Sequence, residues 1–425
     1  MTTTAPPAAS VTTPGSASAE TVSHAASCPT TADLLDRFSE LFARIRAGAA
    51  ERDRTRTLPR AEITALAEAG FGRLRLPVEH GGLGADLPQT FAVLTELAAA
   101  DSNLAQIWRG HLAFVEDVLT ARSPEFRARW LPRLASGAVV GNAWTEPGEG
   151  ARGIASTTVS AAESGGARVN GTKFYTTGSI FADYADTTVT APDGTQSIAL
   201  VPLRQGGVTL TDDWDGFGQR TTGTGTAVFA DAEVPAEDVY PFAERFTYQT
   251  ALYQVVLLAA QAGIARAALR DASALVRDRT RSYSHGNAER AAEDPQLLEV
   301  VGHLAAAAQT AEVLTADAAQ ALQRIHEAEN GDPTVRDRLG EAAELASARA
   351  QVVVSQLVPA AATRLFDALG ASAVREGAAL DRHWRNARTV ASHNPWVYKA
   401  RIAGEHAVHG HVRTDTTWSV GVASR

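Results

Sequence analysis

The sequence predicts an α+β chain of three zones: helical, then β, then helical again. Three observations carry that prediction. Apolar residues recur at three- and four-residue spacing over roughly 31–137. Between 138 and 245 the pattern alternates, and β-branched residues and turn pairs such as Asp193-Gly194 punctuate it. From 246 to 425 long Ala-rich helical runs return. A prior of about 150 residues per domain gives two or three units for a chain of 425 residues.

In the first zone Leu34, Leu35, Phe38, Leu41, Phe42 and Ile45 make one helical face, and Thr30 with Asp33 has capping-box spacing. A second helix runs from Ala61 to Ala69 and stops at Gly70. The glycine-dense loop Pro77 to Asp86 follows, then a helix from Phe91 to Ala100. In the second zone Ala167 to Thr177 alternates as a strand. Thr187–Thr190 and Ile198–Val201 flank the Asp193-Gly194 turn as a hairpin. Val208–Leu210 and Ala227–Phe229 add strands, so a small antiparallel β-barrel or sandwich is expected. The third zone predicts helices over 249–282, 294–328, 333–369 and 385–411, with Pro295 and Pro333 at first-turn positions. Four long helices with short connections predict an antiparallel bundle.

Composition excludes several classes. A net charge of −9 argues against nucleic acid and anionic membranes as partners. No unbroken run of about 18 apolar residues occurs, so no spanning helix is expected. The one cysteine, Cys28, leaves no intramolecular disulfide and fits a cytoplasmic location. Residues 1–30, rich in Ala, Thr, Ser and Pro, read as a disordered tail. No metal site is expected: His406, His409 and His411 do not share one helical face.

Six segments then stand in a telling order: Pro77…Gly81-Gly82…Gly84, Ala143-Trp-Thr-Glu-Pro147, Gly171 to Gly178, Gly216-Phe-Gly-Gln-Arg220, Val234-Pro235 and Arg385-Asn-Ala-Arg388. On this layout they resemble the acyl-CoA dehydrogenase superfamily over residues 33–412. Gly141-Asn-Ala143, Ala292-Glu-Asp-Pro295 and Asp381 to Lys399 look more narrowly like its flavin-dependent monooxygenases of the dibenzothiophene-monooxygenase type. That resemblance implies the acyl-CoA dehydrogenase-like fold, reduced flavin (FMN or FAD) and O2 as co-reactants, a separate NAD(P)H:flavin reductase and a homotetramer. It implies insertion of one oxygen atom, through a flavin C4a-hydroperoxide, into a hydrophobic substrate at sulfur, nitrogen or aromatic carbon.

The rival within the superfamily is α,β-desaturation of an acyl thioester, which needs a carboxylate base. In the commonest family pattern that Glu lies eight residues before the Arg of the Arg-Asn-Ala-Arg segment; here the position is Gly377. Glu376 is adjacent, but one residue rotates a helical side chain by about 100°. The non-enzymatic rival is a family member kept as a binding protein.

By the same resemblance His393 falls at the active-site histidine, where an imidazole can steer a proton near neutrality. Asn142 and Thr177 would flank the flavin ring, and Thr145 and Thr176 would contact its edge. Arg281 matches a phosphate-binding arginine, and Gly370 lies in the turn that a neighbouring subunit contributes. Trp108, His111 and Trp144 are candidate substrate walls. Trp144 replaces a small residue and Gly110 an aromatic one, so a different substrate is expected. For each residue the plainer alternative stands beside this: a helix-end His or Arg, ordinary strand Thr or Asn, and core Trp.

Overall fold

The computed structural model describes residues 1–2, 29–146, 155–162, 165–281 and 283–411. All of the expected tail but its ends, Cys28 included, lies outside the described residues, as does Pro147.

The first zone is helical: α1 (Thr31–Thr55), α2 (Arg60–Ala69), α3 (Leu87–Ala100), α4 (Ser102–Ile107), α5 (Arg109–Thr120) and α6 (Pro124–Ala135). The capping box forms. The Thr30 hydroxyl accepts from the Asp33 N–H at 3.2 Å, and the Asp33 carboxylate accepts from the Thr30 N–H at 2.9 Å. Leu34, Phe38, Leu41, Phe42 and Ile45 are buried, with Leu35 at the edge of that face. Gly70 ends α2 in the left-handed conformation.

The second zone is one sheet of β1 (Val140–Ala143), β2 (Thr158–Ala161), β3 (Ala167–Lys173), β4 (Tyr184–Thr190), β5 (Gln196–Pro202), β6 (Val208–Thr211), β7 (Thr226–Val234) and β8 (Val239–Pro241). Its order is β6-β7-β3-β2-β4-β5-β8, with β1 paired to β4. The Asp193-Gly194 hairpin forms with Thr190 opposite Gln196. The expected antiparallel barrel needs two corrections. The sheet is mixed, because β1 runs parallel to β4 and reaches it only after the chain has made β2 and β3. Among the described residues the end strands β6 and β8 do not pair, so no closed hydrogen-bonded barrel forms.

The third zone holds α7 (Gln249–Asp278), α8 (Pro295–Ala328), α9 (Pro333–Arg364), α10 (Asp381–Ser392) and α11 (Val397–His409). Pro295 and Pro333 open their helices behind the side-chain caps Asp294 and Asp332. The expected fourth helix over 385–411 is two helices. Pro395 lacks an N–H and disfavours the helical conformation at Asn394, so α10 stops at Ser392 and a turn precedes α11. No unbroken apolar run of membrane length occurs, yet α7 and α8 are each long and apolar enough, by length and composition, to cross a membrane. In α7 that apolarity serves the core, since its most apolar stretch is 89% buried.

α7 is the axis that joins the zones. It packs on α3, and the contact is closest at Gly263, where an added Cβ would sit 2.4 Å from the Ala98 Cβ and 2.6 Å from backbone. Buried ion pairs reinforce the joint. Glu116 on α5 pairs with Arg75 at 2.6 Å and accepts from the Tyr248 hydroxyl, while His326 on α8 lies 3.0 Å away. Burial alone would raise the Glu116 carboxyl, but Arg75 and His326 outweigh it and hold the carboxyl well below the usual range.

Two stability predictions follow from these contacts. Helix propensity favours Gly263→Ala by about 1 kcal/mol, but the overlap with rigid Ala98 backbone should win and cost about 1–3 kcal/mol net in denaturant unfolding. A stabilised variant would show that α3 and α7 separate freely. Glu116→Gln leaves Arg75 buried without a charge partner and should cost about 3–5 kcal/mol. The folded carboxyl is depressed, so its contribution is complete above the ordinary value of 4.5 and falls away as pH drops below it. Equal stability of wild type and variant at pH 7 would contradict this assignment.

Candidate active site

All three zones meet around one cavity of about 530 Å³. α4 and α5 contribute Gln106 and Arg109, and β1 contributes Asn142. The turn after β3 brings Tyr175 and Thr177, and the loop between β6 and β7 brings Trp214, Gln219, Thr222 and Thr224. α7 adds Tyr253 and Gln254, and the end of α10 adds Val390, His393 and Asn394. No Asp or Glu lines this cavity among the described residues. Glu376 sits exposed in a short turn elsewhere, so neither it nor Gly377 supplies a base to the cavity.

His393 closes α10 by donating its backbone N–H to Val390 at 3.2 Å. The turn that follows is tied down where Asn394 donates to the Gln254 side-chain oxygen at 2.9 Å, which also accepts from Gln351. His393 lines the cavity and is exposed. The surrounding protein atoms desolvate the ring and, with the Arg109 cation as second cause, lower its pKa to about 3. The ring is neutral at pH 7, with one N–H donor and one acceptor nitrogen.

Asn142 lies where α5 comes closest to β1. A Cβ on Gly110 would sit 3.0 Å from both the Asn142 backbone nitrogen and its Oδ1, so Asn142 fills the space beside Gly110. The Asn142 Oδ1 is buried with no partner, as are the side-chain oxygens of Gln106 and Gln219 and the Tyr253 hydroxyl. Such orphaned polar atoms around a cavity fit a polar ligand.

Thr177, Thr224 and Thr222 form a chain of hydroxyls at 2.8 Å spacing, ending where Thr222 donates to the Gln219 carbonyl at 2.9 Å. Each hydroxyl has one hydrogen. The terminal donation therefore sets the direction, Thr177 to Thr224 to Thr222, and leaves the Thr177 oxygen as an acceptor. Thr145 and Trp144 also line the cavity. Trp144 donates to Asp186 at 3.0 Å beneath the Arg245 guanidinium, so its ring is fixed.

Other expected residues lie elsewhere. Thr176 is buried off the cavity, its hydroxyl donating to the Gly225 carbonyl at 2.9 Å. Trp108 and His111 do not line the cavity: Trp108 packs on Phe71 in the N-terminal core. The His111 Nδ1 accepts from the Val140 N–H, so its Nε2 donates to the Gly72 carbonyl at 2.8 Å. Burial lowers its pKa to about 4, and it acts as a neutral strut between loop and strand. Arg281 is exposed beyond the end of α7, and Gly370 packs against Tyr283 in that same region. Neither reaches the cavity within one protomer.

Sequence reasoning missed Arg109, Thr222, Thr224, Tyr253 and Gln254. One signal was present for Arg109: it is the lone formal charge in the largely apolar run from Leu104 to Val115.

Comparison with known proteins agrees with this geometry. Models of the acyl-CoA dehydrogenase N-terminal, middle and C-terminal domains match residues 31–138, 141–232 and 255–396. The dibenzothiophene monooxygenase of Rhodococcus qingshengii is 29% identical over 384 residues, covering 86% of this chain and 90% of its own. The Probable FMNH2-dependent monooxygenase SfnC of Pseudomonas putida is 29% identical over 380 residues, covering 87% and 93%. The crystal structure of TdsC from Paenibacillus sp. A11-2 with FMN and indole superposes with a TM-score of 0.82 at 30% identity, covering 89% of this chain and 98% of that one. The chain therefore belongs to the acyl-CoA dehydrogenase family and, within it, groups with the flavin-dependent monooxygenases.

Proposed function

We propose that this protein is a two-component monooxygenase that takes up reduced FMN, made by a separate NAD(P)H:flavin reductase, and passes one oxygen atom of O2 to a hydrophobic substrate. The observation that carries this is the cavity of about 530 Å³ with a neutral His393, orphaned amides and, among the described residues, no carboxylate. Desaturation of an acyl thioester needs a base that this cavity lacks. When bound, the reduced flavin supplies the two electrons that send one oxygen atom to the substrate and the other to water.

The residues present fit a flavin ring. The Thr177 oxygen suits a ring N–H donor, Asn142 and Gln219 have unspent capacity, and Thr145 stands at the rim. His393 would donate its ring N–H to an oxygen in the site and, through its bare nitrogen, take a proton back. The aromatic walls of Trp144, Tyr253, Trp214 and Phe217 limit water, which favours transfer over loss of the oxygen as peroxide. A homotetramer is part of this reading. It would bring Gly370 and Arg281 of neighbouring protomers towards a flavin phosphate, and the exposed Leu298 and Val313 on α8 suit a subunit contact. The single cysteine supports a cytoplasmic location.

Two measurements test the reading. With reduced FMN, O2 and an oxidisable aromatic sulfur compound, His393→Ala should lower product per flavin oxidised by about 10²-fold. Hydrogen peroxide should rise to match, with FMN affinity little changed. Full coupling in His393→Ala would remove the histidine from the mechanism. Because the imidazole stays neutral, wild-type coupling should show no limb from this residue between about pH 5 and 8. A limb at the ordinary histidine value of 6.5 that vanishes in His393→Gln would show that the ring charges in the site.

A further inference from the structure

We infer that Arg109 makes this cavity an oxyanion-binding site, and that the substrate joins a compact apolar body to a carboxylate, sulfinate or sulfonate group. The inference specifies the substrate of the proposed reaction and rests on that reading for the oxidation step.

Among the described residues four arginines are buried: Arg52, Arg75, Arg109 and Arg245. Arg52 pairs with Asp101 and Glu62, Arg75 with Glu116, and Arg245 with Asp117 and Asp186. Arg109 is only 8% exposed and has no hydrogen bond or ion pair among the described residues; its Nε is buried without a partner. Its guanidinium carbon lies 5.0 Å from the centre of the Tyr253 ring, a contact that steadies the group without neutralising it. The Tyr253 hydroxyl is likewise buried and unpartnered. Burial raises its pKa further, so it remains a donor.

Two orphan donors therefore stand side by side on a cavity where, among the described residues, no carboxylate lines the wall and Arg109 is the one formally charged residue. A buried cation without a partner weakens a fold. A chain that keeps one on a cavity wall has its counter-ion arriving as ligand. Hydrogen-bonding partners for the ring edge already exist in Asn142 and Thr177, which leaves Arg109 for an anionic group. Trp144, Trp214, Phe217 and Val390 supply apolar surface for the remainder of the molecule.

The test uses matched probes on the full-length protein, with and without FMN. Calorimetry compares benzenesulfinate with the near-isosteric neutral methyl phenyl sulfoxide, and benzoate with acetophenone. In wild type at least one anion should bind about tenfold or more tightly than its neutral partner; which of the two does so separates sulfinate from carboxylate. In Arg109→Met that preference should disappear, and in Arg109→Lys it should partly return. The melting temperature of unliganded Arg109→Met should be unchanged or higher, whereas a purely structural arginine would lower it. Neutral probes binding as tightly as both anions, or an anion preference that survives Arg109→Met, would overturn the inference. So would selective loss of reduced-FMN binding in that variant, which would assign the charge to the flavin. Anion binding without flavin-dependent oxygen consumption would instead sink the functional reading and leave this site standing.

Discussion

The ion pair between Arg385 on α10 and Asp53 on α1, at 2.5 Å, holds the geometry on which the site depends. Arg385 also donates to the Phe217 carbonyl at 3.0 Å, and its neighbour Asn386 accepts from the Gln219 N–H at 2.6 Å. One turn of α10 thus grips the N-terminal helices and the loop between β6 and β7 together. Gln219, Thr222 and Thr224 ride on that loop, and His393 lies two turns further along the helix. The Arg-Asn pair works here as a clamp that sets the distance between the histidine and the threonine wall.

The clamp encloses a space with unusual electrostatics for this protein. The other buried arginines among the described residues are answered by opposite charge, as in the Arg75–Glu116 and Arg245–Asp186 pairs. Among the described residues the only formal charge lining the cavity is the Arg109 cation; desolvation and, second to it, that cation hold the histidine neutral. Such a site cannot pull a carbon-bound proton with a carboxylate. It can hold a neutral heterocycle by amides and hydroxyls, move a single proton through an imidazole, and attract an anion.

How much of this was legible in the sequence depended on the range of the interaction. The three zones follow from local periodicity, and the Thr30 cap and the Asp193-Gly194 hairpin from residues a few positions apart. The mixed direction of the sheet was not legible, because the parallel β1–β4 pairing joins strands more than forty residues apart whose local pattern is the same in either direction. Pro395 stood in plain view and should have split the last helix; the break it causes is what places His393 at a helix end. Trp108 and His111 were taken for pocket walls because aromatic residues at helical spacing look alike in a core and in a cavity. Arg109 was not legible, because a charge on a helix is most often solvated and its burial on a cavity wall follows only from the packing of α5 against α7 and β1. Arg281 and Gly370 lie beyond the end of α7 and after α9, away from the cavity.

The central claim is that this carboxylate-free cavity directs reduced flavin towards oxygen transfer. Its most direct test is mass spectrometry of the benzenesulfonate formed from benzenesulfinate with reduced FMN under ¹⁸O₂. The account predicts one labelled oxygen per product molecule, with the label absent when ¹⁸O is supplied as water. Unlabelled product, together with anaerobic bleaching of protein-bound FMN by an acyl-CoA, would contradict it.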